Sequence, residues 1–466
     1  MKKNHRLLNL ILGPLLLLAC IFFLPESIFA GLAGRAAVGT VAWMAFWWVT
    51  APVDYAVTAF LPIAVNAVIQ MADMESVIAN YASETILLLL GASILTVSWE
   101  RTGLDKRIAL RFLNLIGSGL RKQIVFWFLV SAVLSAVLPN AVVCATVTPI
   151  AVSMLNYIGE KDVASSKTAS KILLTIAYAA GVGGLATPLG GAMNLVVVDY
   201  IQQLTGEEYM YIEWVIKFLP IMIVLVVSNL LFLVRDIGRK EELGGSAEYF
   251  ARELKSMPPM NVEEAMSLAL FLLATLLSFT RQFYQDMLPG LKPAYVFIIC
   301  AVISFLIVDK DGNRLLVWKS VQSKIIWELI YIFAGGLAAG TLINDSGAAD
   351  AIGQMVSGMG LEGGLATVFV IVFLTLALSD VTSNTATAAV SVPIVISIMQ
   401  GIGLDPLPYV YVATIGINLS YTLPTSIRAI PVGYGLQPSY MMKEGLKLSA
   451  IVLVLMTACG YALFVL

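Results

Sequence analysis

Long apolar stretches, each followed by a short polar segment, make up most of the chain. A helix needs about 20 apolar residues to cross the hydrocarbon core of a bilayer. The chain offers enough apolar stretches for roughly eleven transmembrane helices, counting the interrupted ones. The first runs to about Phe23, and two more fit Ala36–Trp48 and Val53–Met71. This pattern predicts an all-α polytopic membrane protein.

The apolar segment at residues 365–400 contains a polar turn at its centre. The turn reads SDVTSNTAT and places Asp380 among hydroxyl and amide side chains, between two apolar arms. Polar side chains at membrane depth are costly unless they face protein, water or a ligand. A turn at that depth is tolerated only beside a cavity or a binding site. We interpret this segment as a re-entrant helical hairpin whose tip binds a ligand.

A second re-entrant hairpin is predicted at residues 124–157. Its arms, Ile124–Leu138 and Val142–Tyr157, are each short for a membrane span, and Pro139-Asn140-Ala141 joins them. An Asn therefore lies in the polar turn of both hairpins.

When the chain is aligned with itself at a shift of 244 residues, identical residues recur from Glu84 to Ile150 and the alignment needs no gap. The identical pairs include Glu84 with Glu328, Gly91 with Gly335, Gly103 with Gly347, Ser135 with Ser379, Asn140 with Asn384, and Pro149 with Pro393. This register predicts an internal repeat. The amphipathic segment Leu104–Ile116 is basic, whereas its counterpart Ala348–Met359 has no basic residue. Because basic segments favour the cytoplasmic face, the difference fits two copies that are inverted in the membrane.

Each copy also contains a broken helix after its hairpin. The first break reads GVGGLATPLGGAM, Gly181–Met193, and its five glycines and one proline must unwind a helix. The second reads LPTSIRAIPVG, residues 423–433. Unwound carbonyls inside a membrane protein are typical cation ligands, and half-helix N-termini attract anions. The sequence therefore predicts a binding site where the two broken-helix repeats meet.

These features divide the chain into five segments. We expect N-terminal scaffold helices at 1–80, a first inverted repeat at 81–237, a cytoplasmic linker at 238–260, connecting scaffold helices at 261–324, and a second inverted repeat at 325–466.

Composition supports the membrane interpretation, because 59% of the residues are hydrophobic and 12% are charged, against about 25% charged in an average soluble chain. A net charge of −2 gives no indication of a nucleic-acid partner. The four cysteines are scattered through apolar surroundings and read as small buried hydrophobes. Lys2, Lys3 and Arg6 predict a cytoplasmic N-terminus in a cell membrane.

Three stretches carry a resemblance that covers essentially the full chain. Ser383-Asn384-Thr385 in a hairpin, TPLGGAMN at Thr187–Asn194, and Tyr331–Gly347 resemble the divalent-anion:sodium symporter family of the ion-transporter superfamily. The resemblance implies a homodimeric elevator-type carrier, with a scaffold domain and a transport domain, for a small organic anion. It also implies one anion site flanked by two Na⁺ sites.

The resemblance assigns roles to particular residues of this chain. The first Na⁺ site would use Ser135, Asn140 and the Gly190 carbonyl, and the second would use Ser379, Thr382, Asn384 and a carbonyl near Ser426. The anion would contact Ser383, Asn384 and Thr385, with Asn140 from the other tip. Amide and hydroxyl donors suit a carboxylate, and neutral oxygens suit a hard monovalent cation.

This chain departs from the family at three places. The first tip reads Pro139-Asn140-Ala141 and lacks two hydroxyls, and the two breaks lack the family's small, proline-rich stretches. In the second break lies Arg428, and an Arg at membrane depth costs about 2.5–3.5 kcal/mol unless it is paired. Three roles stay open for Arg428: a bidentate carboxylate clamp, a fixed positive charge in place of one Na⁺, or a salt bridge to Asp380.

We therefore expect a secondary active transporter of a di- or tricarboxylate, coupled to Na⁺ and working by an elevator mechanism. The nearest alternative is a sodium-independent anion exchanger of the same fold. A second alternative is an arsenite or proton-coupled carrier, which would need Asp380 for a proton route. An enzyme or a receptor is a rival from another class, but the sequence has no HExxH motif, no P-loop and no output domain.

Overall fold

The computed structural model describes the chain except residues 1–2, 27, 30, 116, 161, 239–240, 310–311 and 358–361. The described part is helical, and two isolated β-bridges are its only β pairings. Seven of the described helices have the length and hydropathy of a membrane span. The predicted all-α membrane architecture is confirmed, and the total of eleven spans stays a prediction.

Five helices form the N-terminal segment. They are α1 (Lys3–Phe23), α2 (Gly31–Thr50), α3 (Tyr55–Thr58), α4 (Leu61–Asn66) and α5 (Met74–Ala79). The prediction of one continuous span over Val53–Met71 was wrong. Pro62 has no N–H to donate to the Thr58 carbonyl, so a continuous helix would lose that hydrogen bond, and the chain forms the two short helices α3 and α4 there.

Seven helices follow in the first half. They are α6 (Glu84–Thr102), α7 (Leu104–Leu113), α8 (Leu120–Ser135), α9 (Asn140–Tyr157), α10 (Lys167–Gly184), α11 (Ala192–Thr205) and α12 (Tyr211–Val234). The Ser83 side chain caps α6 by accepting from the Ile86 N–H, and Gly103 ends it with a φ of 74°. Gly suits this left-handed C-cap because it has no Cβ.

Four helices connect the halves. They are α13 (Ser246–Ser256), α14 (Val262–Phe279), α15 (Pro293–Ser304) and α16 (Trp318–Val321). The segment predicted as a linker thus contains the helix α13. Phe250 of α13 is fully buried, with its ring centroid 5.8 Å from that of Trp127 in α8, so burial of this aromatic pair holds the helix against the first hairpin.

The second half repeats the order of elements in the first. Its helices are α17 (Trp327–Asp345), α18 (Ala348–Ser357), α19 (Leu365–Val381), α20 (Asn384–Gly401), α21 (Leu407–Asn418), α22 (Ala429–Gly433) and α23 (Pro438–Gly460). Gly347 follows α17 with a φ of 73°, as Gly103 follows α6. In both halves a long helix, a short amphipathic helix, a helical hairpin and a broken helix follow one another.

The broken helices lie at the centre of the molecule. Every residue of α10 from Ala169 to Gly184 is buried, and so is every residue of α21 from Tyr409 to Asn418. A helix that is apolar on all sides belongs in such a core. By contrast, Ile216, Ile223 and Leu231 are exposed along one face of α12, as expected of a helix that faces lipid.

Candidate functional site

The N-terminal ends of α9 and α20, which are the two hairpin tips, open onto one central cavity of about 230 Å³. Other parts of its wall come from the two breaks, from Tyr55 and from the start of α17. The predicted anion-binding residues Asn140, Ser383, Asn384 and Thr385 all line it. The structure therefore brings together four residues that lie up to 245 positions apart in the sequence.

The tips present polar groups that have no partner in the described part of the protein. The Asn140 side chain and the Thr385 hydroxyl make no hydrogen bond there, and the Asn384 Nδ2 donates none. Asn384 and Thr385 are each 5% exposed. Because buried polar groups are normally hydrogen-bonded, uncommitted donors facing a cavity indicate a ligand with acceptor atoms.

Helix geometry adds positive potential to the same place. Both α9 and α20 are 18 residues long and begin at the tip Asn. Ser383 caps α20 by accepting from the Ala386 N–H at 3.1 Å. The N-terminus of a helix carries partial positive charge and free N–H groups, so two of them beside one cavity favour an anion.

A hydrogen-bond network fixes the second tip. Ser379 Oγ lies 3.0 Å from Asn384 Oδ1 and 2.6 Å from the Ile417 carbonyl oxygen. Ser420 Oγ donates to the same Asn384 oxygen at 3.2 Å. With its Oδ1 held in this way, the Asn384 side chain is left with its Nδ2 donors for a ligand.

Thr382 and Asp380 take part in local contacts. Thr382 Oγ1 lies 2.8 Å from Thr387 Oγ1, across the turn. Asp380 Oδ1 accepts from the backbone N–H groups of Tyr421 and Thr422 at 2.8 and 2.9 Å. Asp380 thus caps the unwound backbone of the second break, a structural role that gives no support to a proton route through it.

The residues predicted for the first cation site lie close to one another. A Cβ added at Gly190 would lie 2.5 Å from the Gly184 carbonyl oxygen and 2.7 Å from that of Ser135. A Cβ added at Gly184 would lie 3.2 Å from the Gly190 carbonyl oxygen and 3.6 Å from Asn140 Nδ2. These three backbone oxygens and the Asn140 amide therefore surround one small volume. The Ser135 hydroxyl itself donates to the Ala180 carbonyl at 2.7 Å.

Equivalent hydrogen bonds tie each hairpin to its broken helix. Ser135 donates to the Ala180 carbonyl in the first half, and Ser379 contacts the Ile417 carbonyl in the second. Thr187 donates to the Ala136 carbonyl, and Thr425 donates to the Asp380 carbonyl. The recurrence of both bonds supports the predicted repeat, since each is set by the same backbone path.

Arg428 does not line the central cavity, although its neighbours Ile427 and Ile430 do. The side chain is 1% exposed, and its Nε and Nη1 have no hydrogen-bond partner in the described part of the chain. No described carboxylate lies within 4.0 Å of the guanidinium, so the alternative of a salt bridge to Asp380 is not realised. Ser426 begins the turn that contains Arg428, and its side chain lies outside the described structure.

Two asparagines join the breaks and were not predicted as site residues. Asn194 Nδ2 donates to the carbonyls of Gly184 and Thr187 at 2.6 and 2.9 Å. Asn418 Nδ2 then donates to Asn194 Oδ1 at 3.0 Å. Asn194 closes the TPLGGAMN stretch, which was the available signal for it.

A series of cavities leads away from the central one along α9. A cavity between Ala92, Val142 and Leu329 shares Pro139 and Ala192 with the central cavity. It shares Glu100 and Val142 with a larger cavity of about 610 Å³ between α9, α7 and α13. In the larger cavity Asp105 accepts from Thr146 at 2.7 Å, and burial raises the pKa of the Asp105 carboxyl.

This arrangement of broken helices and hairpin tips around a central cavity defines a membrane transport protein. The sequence profile of a citrate transporter family matches residues 45–416. The chain therefore belongs to this transporter family, and the resemblance to the divalent-anion:sodium symporters is confirmed. Its family consists of transporters and not of enzymes.

Bacterial relatives match over most of both chains. The sodium-dependent dicarboxylate transporter SdcS of Staphylococcus saprophyticus is 30% identical over 448 residues, which are 92% of this chain and 86% of that protein. SdcS of a Staphylococcus aureus strain is 29% identical over 451 residues, 93% of this chain and 86% of that protein. The crystal structure of the Alcanivorax borkumensis YdaH transporter has a TM-score of 0.52 at 10% identity and covers 83% of this chain and 86% of its own. This last likeness concerns the fold alone.

Proposed function

We propose that the protein is a secondary active transporter that moves a small di- or tricarboxylate across the cell membrane together with Na⁺. The observation that carries the proposal is the central cavity, where two helix N-termini and the uncommitted donors of Asn140, Asn384 and Thr385 meet. Charge-assisted hydrogen bonds from such donors suit carboxylate oxygens. The names of the citrate transporter family and of the dicarboxylate-transporting relatives agree with this substrate class.

Sodium coupling is supported by the two groups of neutral oxygens beside the cavity. The first comprises the carbonyl oxygens of Ser135, Gly184 and Gly190, beside the Asn140 side chain. The second comprises Ser379, Thr382 and Asn384, next to the unwound segment that follows α21. A cation bound to either group would offset the charge of the anion, which couples the binding of the two ligands. Relatives named as sodium-dependent fit this coupling.

The proposed transport cycle moves the hairpins and broken helices as a transport domain against a scaffold. The scaffold comprises the N-terminal helices at 1–80 and the connecting helices at 261–324, between the two inverted repeats. The cavities along α9 open the site toward α7 and α13, on the basic face that we assign to the cytoplasm together with the N-terminus. The elevator is proposed to work as a homodimer, as the resemblance to the divalent-anion:sodium symporters implies.

One observation favours a second candidate, a sodium-independent anion exchanger. Arg428 is a buried positive charge with no carboxylate within 4.0 Å among the described residues, and the first tip lacks two hydroxyls. A fixed cation could balance the substrate in place of one Na⁺, and one charge fewer would then cross the membrane in each cycle. Each such charge is worth about 2.3 kcal/mol per 100 mV.

Thermal unfolding of the purified protein distinguishes the candidates. Ligands that bind the folded state raise its apparent stability by mass action. The symporter predicts that succinate and Na⁺ together raise the Tm by more than the sum of their separate effects. The exchanger predicts the full effect of succinate without Na⁺. An unchanged Tm with succinate and citrate, with or without Na⁺, would contradict the carboxylate assignment.

A further inference from the structure

Glu328 is the single charged side chain among the described residues that line the central cavity. It lies in the first turn of α17, outside the two hairpins, whereas the donors come from the hairpin tips. Its carboxylate makes no hydrogen bond or ion pair with a described residue. Tyr55 lies on the same cavity wall, and its hydroxyl is also unbonded within the described part. Glu328 is an exposed residue, and its negative charge, which has no ion pair among the described residues, faces a site whose other groups attract anions.

The equivalent carboxylate of the first half has a different environment. Both Glu84 Oε1 and Glu84 Oε2 accept from Lys292 Nζ, at 2.9 and 3.1 Å. The Tyr295 hydroxyl donates to Glu84 Oε1 at 3.1 Å. Stabilisation of a helix N-terminus explains a carboxylate at either position. It does not explain why the charge is neutralised at Glu84 and left free at Glu328, where the cavity is.

An ionised carboxylate accepts hydrogen bonds and donates none. A plain dicarboxylate held by the tips would only be repelled by Glu328. A substrate with a hydroxyl or ammonium group next to a carboxylate could bind the tips with its carboxylate and donate to Glu328. The cavity of about 230 Å³ is smaller than the roughly 300 Å³ lower end of ordinary ligand pockets, so such a substrate would be small.

We propose that Glu328 forms a subsite for a hydrogen-bond donor on the substrate, so that the carrier prefers hydroxy- or amino-substituted dicarboxylates over plain ones. This inference rests on the proposed function and narrows its substrate class. Glu328 acts here as a specificity-determining residue. The preference is set by the charge and acceptor atoms of its side chain.

Competition against labelled succinate uptake into proteoliposomes tests the subsite. The competitors are unlabelled succinate, malate and L-aspartate, and the proteins are wild type, Glu328→Gln, Glu328→Ala and the control Glu84→Gln. With the wild-type protein, we expect malate or aspartate to inhibit the uptake of labelled succinate at about tenfold lower concentration than unlabelled succinate does. This factor is the effect of one hydrogen bond to a charged group. Glu84→Gln keeps that ratio, because Glu84 does not line the central cavity.

The variants also identify the donor. If it is an ammonium group, Glu328→Gln removes the advantage of aspartate. If it is a hydroxyl, the amide oxygen of the Glu328→Gln variant still accepts, and only Glu328→Ala removes the advantage of malate. The inference is overturned if wild type shows no advantage for either acid, or if neither Glu328 variant changes the ratio. If wild type neither takes up labelled succinate nor binds it in a way that citrate displaces, the proposed function itself is contradicted.

Discussion

Gly336 of α17 lies directly against Ala389 of α20, so closely that a methyl group at position 336 would overlap the Ala389 side chain. The equivalent residues of the first half, Ala92 and Ala145, line two different cavities instead. One pair of equivalent helices is therefore in contact and the other is separated. If the two halves exchange these arrangements during transport, α6 and α9 come into contact while α17 and α20 separate. The cavity then closes on one side of the membrane and opens on the other.

This exchange predicts a cross-link that forms only during the cycle. In a background without the four native cysteines, Ala92→Cys/Ala145→Cys should form a disulfide under oxidant when succinate and Na⁺ are present, because α6 and α9 then approach. A disulfide requires Cα atoms within about 7 Å. Transport should stop on oxidation and return on reduction. Each single cysteine variant is the control, and failure of the pair to cross-link during active uptake would contradict the exchange.

The Thr385 hydroxyl is predicted to bind the anion. Thr385→Val keeps the shape and removes a donor that has no partner among the described residues. We expect the apparent succinate affinity to fall about tenfold, as for a lost hydrogen bond to a charged ligand. The matched control is Thr375→Val, since Thr375 Oγ1 donates within its own helix to the Ile371 carbonyl at 2.6 Å. Equal effects of both variants on affinity would exclude a specific role for Thr385.

Gly190 is predicted to be essential for the first cation site. The Cβ of Gly190→Ala would lie 2.5 Å from the Gly184 carbonyl oxygen, so the oxygens around it must move. Sodium activation of uptake should shift to at least tenfold higher concentration. Gly290→Ala is the control, because a Cβ at Gly290 meets nothing within 4 Å. Unchanged sodium dependence in Gly190→Ala would remove this site from the account.

Arg428 is predicted to act on the substrate and not on stability. Replacing a buried charge that makes no ion pair within 4.0 Å by an apolar side chain costs little, so Arg428→Met should unfold at or above the Tm of wild type. Uptake of succinate should still fall by at least tenfold, because a positive charge near the site is lost. Circular dichroism melting and uptake measure the two effects.

The control for Arg428 is another buried arginine. Arg281 Nε lies 2.9 Å from Glu208 Oε1, and Arg281 Nη2 lies 3.2 Å from Glu208 Oε2. Breaking a buried pair is strongly destabilising, on the order of 3 kcal/mol, so Arg281→Met should lower the Tm. Normal uptake by Arg428→Met, or a Tm lowered as much as in Arg281→Met, would contradict the assigned role.

The hairpins and their tips could be predicted from the sequence. The register of 244 residues joins Asn140 to Asn384, and polar residues between apolar arms indicate a site at membrane depth. The hairpins depend on local patterns, which hydropathy and turn chemistry express directly. The grouping of Ser135 with Gly190 was expected from the resemblance to the divalent-anion:sodium symporters and not from these patterns.

Contacts between distant elements could not be predicted in the same way. The helix α10 begins at Lys167 and α21 begins at Leu407, so the register has already changed from 244 after the hairpins. Because of that change, the repeat did not predict that Ser420 donates to Asn384 Oδ1. The sequence identified Glu328 only as the repeat equivalent of Glu84, because a sequence does not indicate that Lys292 forms an ion pair with Glu84 and that no equivalent cation among the described residues reaches Glu328.

The most direct test of the central claim is uptake of labelled succinate into proteoliposomes with and without an inward Na⁺ gradient. The account predicts concentrative uptake that requires the gradient in wild type and that needs about tenfold more succinate in Thr385→Val. Uptake that ignores Na⁺ and requires internal dicarboxylate would contradict sodium symport and identify an exchanger. An absence of uptake of both succinate and citrate under either condition would contradict the assignment of a carboxylate substrate to the cavity between Asn140 and Asn384.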